Sequence, residues 1–450
     1  MNRADGRIDG TADAQPWPKP AYAWYVVIVL MMAYAVAYLD RMILSLLIEP
    51  IKRDLEISDT QVSLLIGFAF AAFYTLMGLP LGLMSDRYNR RRLIAAGLTL
   101  WSLMTAACGV ATNFWSLFLA RVGVGVGEAT LSPAAYSMMS DYFPKDRLAR
   151  VFAVYSLGAT LGVGLAMLVG GIVTNAVANS PPVELPLFGP VRAWQLTFFW
   201  VALPGLVIAL LMITVREPVR RGRTLESAVH RLPFAELARF VGRNGRLVFF
   251  HFAGITFLVF PVFAWMAWLP AFFVRTYGMN AGDVGIYYGL IFAGAGSIGL
   301  VLGGFCADYL FARKRADAHM LTVLGSVVAM LPLFVAMPLM PTPELAFLFV
   351  VPATLLSSVQ GGVAGAALQL ITPNQLRAQI IALYFLVVNL IGLGLGPTAT
   401  ALITDYVFAD TLALRYSLAI VAAVCLPLAV LSLGLSLKPY RQCIGALAPP

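Results

Sequence analysis

The sequence predicts an all-α membrane protein of twelve transmembrane helices in two six-helix bundles. Three observations carry that expectation. The 450 residues are 60% hydrophobic and 12% charged, with a mean hydropathy of +0.83, which is too apolar for a soluble chain of this length. The apolar runs are about 20 residues long, as a spanning helix needs, and not the short alternating segments of a barrel. Twelve such runs can be counted, and one arginine-rich stretch divides them six and six.

Taken in order, residues 1–20 are polar and proline-containing, with no apolar core before a cleavage site, so a disordered cytoplasmic tail is expected and not a signal peptide. The N-terminal bundle, 21–215, holds predicted helices 1 to 6 at 22–47, 61–84, 93–111, 115–139, 151–177 and 194–215. Residues 216–246 contain eight arginines and no long apolar run, the composition of a cytoplasmic linker lying along anionic lipid. The C-terminal bundle, 247–437, holds predicted helices 7 to 12 at 247–273, 284–307, 320–338, 345–368, 379–403 and 416–437, and 438–450 is expected to be a cytoplasmic tail.

Lysine and arginine set the orientation. Arg87, Arg90, Arg91 and Arg92 follow helix 2, Lys145, Arg147 and Arg150 follow helix 4, and Arg313, Lys314 and Arg315 follow helix 8. The odd-numbered connections carry few basic residues, so the positive-inside rule places both termini in the cytoplasm. The net charge of +9 is therefore topology, and nucleic acid is excluded as a partner. Cys108, Cys306, Cys425 and Cys443 have no metal-ligand spacing, and no structural disulfide is expected.

The sharpest chemical signal is a pair of opposite charges inside helix 4. Arg121 and Glu128 are seven residues apart, two helical turns, so they share a face at heights differing by about 10 Å. Gly123, Gly125 and Gly127 between them allow a neighbouring helix or a ligand to approach the backbone. Intramembrane charges are costly and mark substrate or proton sites, the structural alternative being an ion pair between packed helices. Helix 1 adds Asp40 and Arg41, adjacent and so about 100° apart. Counting depth from the helix ends puts Asp40 level with Arg121. With helices 1 and 4 facing each other, Asp40 is then the expected partner of Arg121, and Glu128 the less compensated acid unless an extended Arg41 reaches it. Glu128 is accordingly the first proton-coupling candidate and Asp40 the second; the alternative is a permanent four-charge lock. Arg41 or Arg121 suits an anionic head group, because a guanidinium matches phosphate or carboxylate with paired donors.

The C-terminal half offers Trp265, Trp268, Tyr287, Tyr384 and Asn389 as further substrate-binding candidates, with no clear charge near the helix centres. One charged wall and one aromatic wall fit an amphiphile with an anionic head. The alternative is that these aromatics are lipid-facing or packing residues. Lone His251 reads as solvated or backbone-bound. Among the motifs there is neither a nucleotide loop nor clustered metal ligands, so no ATP drive, metal, cofactor or enzymatic activity is expected.

The two halves echo each other. Gly82 to Asp86 after helix 2 repeats as Gly304 to Asp308 after helix 8, each followed by basic residues, and Phe143-Pro144 to Arg147 before helix 5 repeats as Thr372-Pro373 to Arg377 before helix 11. The segment GLPLGLMSDRYNRRR (78–92) resembles the loop 2–3 signature of the major facilitator superfamily, Gly-x-x-x-Asp-Arg-x-Gly-Arg-Arg. Asn89 stands where the signature has glycine, and asparagine is the residue next best able to adopt positive φ. Residues 37–82 together with ARVGVGVGEATLSPAAYSMMSDYFP (120–144) resemble the bacterial spinster-like branch.

The superfamily resemblance implies the major facilitator fold. It also implies a gate in which Asp86, beside Arg87, pairs with Arg377 and Asp308 with Arg147 or Arg150, holding the cytoplasmic side shut in the outward-open state. A monomer in the bacterial inner membrane is expected, in keeping with the spinster-like resemblance to a bacterial branch. Its charge cluster would bind protons and a lysophospholipid or sphingosine-phosphate-like lipid, with membrane lipids as the other partners. The runner-up expectation is a proton symporter of a small organic anion such as a sugar acid or aromatic acid.

Overall fold

The computed structural model describes residues 16–144, 147–178, 183–185, 189–220, 234–373 and 376–447. Residues 1–15 of the expected N-terminal tail, 221–233 of the linker and 448–450 lie outside it. With the short helix Ile48–Leu55 between the first two, six long helices form the first half. They are α1 (Pro20–Leu46), α2 (Asp59–Ser63, a π-helical turn Leu64–Phe68, then Ala69–Arg87), α3 (Arg90–Cys108), α4 (Phe114–Glu128, then Leu131–Tyr142), α5 (Leu148–Ala178) and α6 (Ala193–Leu211). The second half holds α7 (Gly245–Tyr277), α8 (Ala281–Ile291, a π-helical turn Phe292–Gly296, then Ser297–Ala312), α9 (Ala318–Ala336), α10 (Pro343–Ser358, then Gln360–Ile371), α11 and α12 (Leu414–Leu447). α11 alternates Arg377–Val388, the π turn Asn389–Leu393, Gly394–Leu402 and the π turn Ile403–Phe408. Among the described residues eleven helices are long and apolar enough to cross a membrane. The twelfth, α3, opens on Arg90, Arg91 and Arg92, which lowers the hydropathy of its 19 residues.

Local chemistry sets the helix ends. Ser58 and Asn113 cap α2 and α4 in reciprocal capping boxes with Gln61 and Ser116. Asn89 does not use the positive φ expected of it: at φ −67° its side chain accepts from the Arg92 amide and caps α3. Gly278, at φ +69°, stops α7 by donating to Val274 while Met279 donates to Phe273. α12 runs ten residues past the expected end at 437. Hydropathy falls there, but packing continues, with Tyr440 buried and Arg441 paired to Asp317 at 2.5 Å. One hairpin of β1 (Val183–Leu185) and β2 (Gly189–Val191) interrupts the all-α plan after α5.

Within the first half α1 packs on α5, α3 on α4 and α6, and α2 on α4; within the second α7 and α9 pack on α12, and α8 and α9 on α10. The halves meet along α2 with α11 and α5 with α8. Both seams are backbone-close. A Cβ on Gly67 would lie 2.8 Å from the Leu393 carbonyl, and one on Gly171 2.4 Å from that of Gly282. The α5–α8 contact lies toward the face opposite the termini. Toward the termini face, the second segments of α4 and α10 each pack within their own half. The molecule is thus closed at the opposite face and opens toward the termini.

Candidate functional site

Pro133 shapes the centre of α4. Its ring cannot donate to the Ala129 carbonyl, and the helix breaks at Ala129–Thr130, directly after Glu128. Across from that break, Arg41 of α1 reaches Glu128 with Nε and Nη2, at 2.7 and 2.6 Å from the same carboxylate oxygen. The pair is buried, the Glu128 side chain being 1% exposed and that of Arg41 12%. The Arg41 guanidinium also lies over three rings, Phe70 at 4.6 Å and Tyr38 and Tyr74 at 4.9 Å each. Such cation–π contacts hold a dry cation against cost of burial. Tyr34 and Tyr155 stack at 4.9 Å and extend this aromatic lining along α1 and α5.

The expected pairing of Arg121 with the Asp40 carboxylate is corrected. Arg121 donates through Nη1 to the backbone carbonyl of Asp40 at 3.0 Å and through Nε to that of Leu65 at 3.3 Å. Both Asp40 carboxylate oxygens are buried with no hydrogen-bond partner among the described residues. The compensated acid is therefore Glu128, through the extended Arg41 that the sequence reading allowed for, and the uncompensated one is Asp40, whose expected pairing with Arg121 is absent among the described residues. Depth alone misled, because the long arginine stem lets Arg41 swing toward α4, while two carbonyls take up the Arg121 fork. The helix 4 glycines admit neighbouring helices: Gly125 meets the Phe70 backbone, and Gly127 meets Trp101.

Arg41 and Phe70 also line a cavity of about 20 Å³ between the halves, room for one water, whose other wall includes Phe263 and Met266 of α7 and Leu393 and Pro397 of α11. The aromatic candidates of the second half sit elsewhere. Trp268 is fully buried and donates through Nε1 to the Pro397 carbonyl at 2.9 Å, a strut between α7 and α11. Trp265 stacks on Phe334 at 3.8 Å. Tyr384 is buried against His251 and Phe252 of α7, so His251 is packed inside the bundle and not solvated. Tyr287 is corrected outright: Gly285 and Gly289 face α5, and a residue about 200° away from both points outward, half-exposed beside Phe347. Asn389, half-buried, opens the first π turn of α11.

The expected gate residues lie on the open face. The Asp86 side chain is outside the described residues, while Arg87, Arg147, Arg150 and Asp308 are exposed. Arg377 donates to carbonyls of Gln369 and Thr372 just before its own helix. The opposite face carries a lock that the sequence reading passed over. Arg275 of α7 clasps Asp59 at 2.6 and 2.7 Å and Glu49 at 2.7 Å, and Lys52 also pairs with Asp59. Asp405 of α11 accepts from the Thr60 amide and hydroxyl, both at 2.7 Å, at the start of α2. Asn175 of α5 donates to Asp283 of α8 at 2.8 Å. The available signal was the presence of Asp59, Glu49 and Arg275 at helix ends that otherwise carry few charges.

Two six-helix halves that share two backbone-close seams, with a buried ion pair beside their interface, define a membrane transporter. Residues 30–397 match the Major Facilitator Superfamily, and the chain belongs to that family. An MFS-type efflux pump of Mycolicibacterium smegmatis is 30% identical over 86% of this chain and 85% of its own length. The hexuronate transporter of Bacillus subtilis is 27% identical over 64% of this chain and 65% of its own, so the chain matches just under two thirds of that relative. Among solved structures, a bacterial homolog of the human lysosomal transporter Spinster, inward-facing and unoccupied, is similar with a TM-score of 0.77 and 26% identity, covering 95% of this chain and 98% of that one. The chain is a spinster-like member of the superfamily.

Proposed function

We propose that this protein is a proton-coupled secondary transporter that moves an anionic amphiphile, a lysophospholipid or sphingosine-phosphate-like lipid, by alternating access. It would work in a bacterial inner membrane with both termini in the cytoplasm. The observation that carries the reading is the buried Arg41–Glu128 pair, set against three rings and bordering the space between the halves. A proton on Glu128 removes the charge that holds Arg41. The guanidinium, still cradled by the rings, then offers paired donors to a phosphate or carboxylate head. The apolar wall of Phe263, Met266 and Leu393 suits the tail. Deprotonation of Glu128 restores the pair and expels the head group, so the Glu128 carboxylate and the substrate head group compete for one arginine and the proton decides between them. Asp40, buried without a hydrogen-bond partner among the described residues, is the second carboxyl available to the cycle.

The test is flux of a labelled lysophosphatidate in liposomes containing the purified protein, with and without a pH gradient. Gradient-dependent flux is expected in the native protein and its loss in Glu128→Gln. Gradient-dependent flux that survives both Glu128→Gln and Asp40→Asn defeats the proton role. A second reading, symport of a small organic anion, is favoured by the likeness to a hexuronate transporter. Competition by acyl chains of increasing length separates the two, because only the lipid reading predicts affinity that rises with chain length.

A further inference from the structure

Phe70 sits two residues past the π turn of α2 and is 1% exposed. Its ring touches both buried guanidinium groups, Arg41 at 4.6 Å and Arg121 at 5.8 Å. The π turn before it is held from the same side, because Arg121 donates to the Leu65 carbonyl inside that turn. On its other side the turn meets the second half directly, since Gly67 abuts the Leu393 and Gly394 carbonyls of α11. One short segment, 64–70, therefore touches the buried charges and the partner half at once, with no intervening layer.

From this we infer that Phe70 is the positioning residue through which the Arg41–Glu128 pair controls the α2–α11 seam, and with it the relation of the two halves. The inference rests on the role proposed for Glu128. While Glu128 holds Arg41, the guanidinium lies on the Phe70 ring and fixes the segment against α11. Neutralising Glu128 leaves the cation less compensated and free to shift, and the ring, drawn by its quadrupole, shifts with it. The seam loosens and the opposite face opens. A leucine at 70 fills much of the same space but has no quadrupole to follow the charge.

The test reads the ratio of closed to open opposite-face populations in the full chain in nanodiscs, by single-molecule energy transfer between dyes carried at the exposed positions Thr112 and Glu344. With Phe70 present, Glu128→Gln is expected to shift that ratio toward open by about tenfold, the scale of a cation–π contact in a dry site. In Phe70→Leu the shift should vanish, and in Phe70→Tyr it should return. A full shift in Phe70→Leu overturns the inference and leaves the role of Glu128 standing. No shift in Glu128→Gln with Phe70 present also overturns the inference, while the role of Glu128 stands or falls on the flux measurement. Should Phe70→Leu fail to give a monodisperse protein, Phe70→Met poses the same question with an unbranched side chain. A residue that merely filled space would alter stability but not abolish the response to Glu128→Gln, nor be rescued by tyrosine.

Discussion

The two faces of the molecule hold their charges in opposite ways. On the face away from the termini, acids and bases from the two halves bind each other, with Arg275 clasping Asp59 and Glu49 and Asp405 seated on the start of α2. On the termini face, the buried ion pairs among the described residues stay within one half. Arg90 pairs with Asp141 and Glu217 inside the first half, and Arg441 with Asp317 inside the second. The difference lies in which ion pairs cross between the halves, not in how many exist. The closed face joins the halves by cross-half ion pairs as well as by the close α5–α8 packing, whereas the ion pairs described on the open face stay within each half.

Arg275→Gln attacks that contrast most directly. Removing one partner of a buried, doubly hydrogen-bonded pair typically costs about 3–5 kcal/mol, and here the cost falls on the closed state alone. The expected result is loss of most of the closed population, seen as longer distances between labels on the opposite-face ends of the two halves. An unchanged distance distribution would show that the lock is ornamental. Gly171→Ala comes next, since the new Cβ would meet the Gly282 carbonyl at 2.4 Å. Overpacking of this kind costs roughly 1–3 kcal/mol, again only in the closed form, and the same distances check it. Trp268→Phe should remove one hydrogen bond to Pro397, about 1 kcal/mol, and lower the thermal midpoint by a few degrees without changing which face is open. Smallest is Arg377→Gln, which among the described residues donates to the carbonyls of Gln369 and Thr372 and should change stability by less than about 0.5 kcal/mol. A large effect there would mean that the termini face carries cross-half load after all.

The fold was legible because a bilayer leaves the chain few options: runs of spanning length must be helices, and basic loops give their orientation. The four central charges were legible for the same reason, since Asp40, Arg41, Arg121 and Glu128 are too costly to be incidental. Their pairing was not legible, because it depends on side-chain reach and on the break that Pro133 makes below Glu128. Depth along ideal helices therefore gave the wrong partners. The aromatic cradle escaped for a related reason. Tyr38, Phe70 and Tyr74 look like any membrane aromatics until α1 and α2 are brought together. In α11 two π turns each insert a residue, so a face drawn through Tyr384 and Asn389 does not continue into Gly394–Leu402. The lock at Arg275 was hidden by a rule that served elsewhere, because sparse charges on that face were read for orientation and not for contact.

The α5–α8 seam has a kinetic consequence. Where backbone meets backbone, at Gly171 on the Gly282 carbonyl and at Gly289 on the Leu168 amide and Gly164 carbonyl, little side chain stands between the helices to change rotamer and absorb a partial displacement. Such a surface fits fully or parts, as packed interfaces are bistable and not continuously deformable. Recorded one molecule at a time, the protein should therefore dwell at two separate levels with abrupt steps between them, and intermediate levels should go unoccupied.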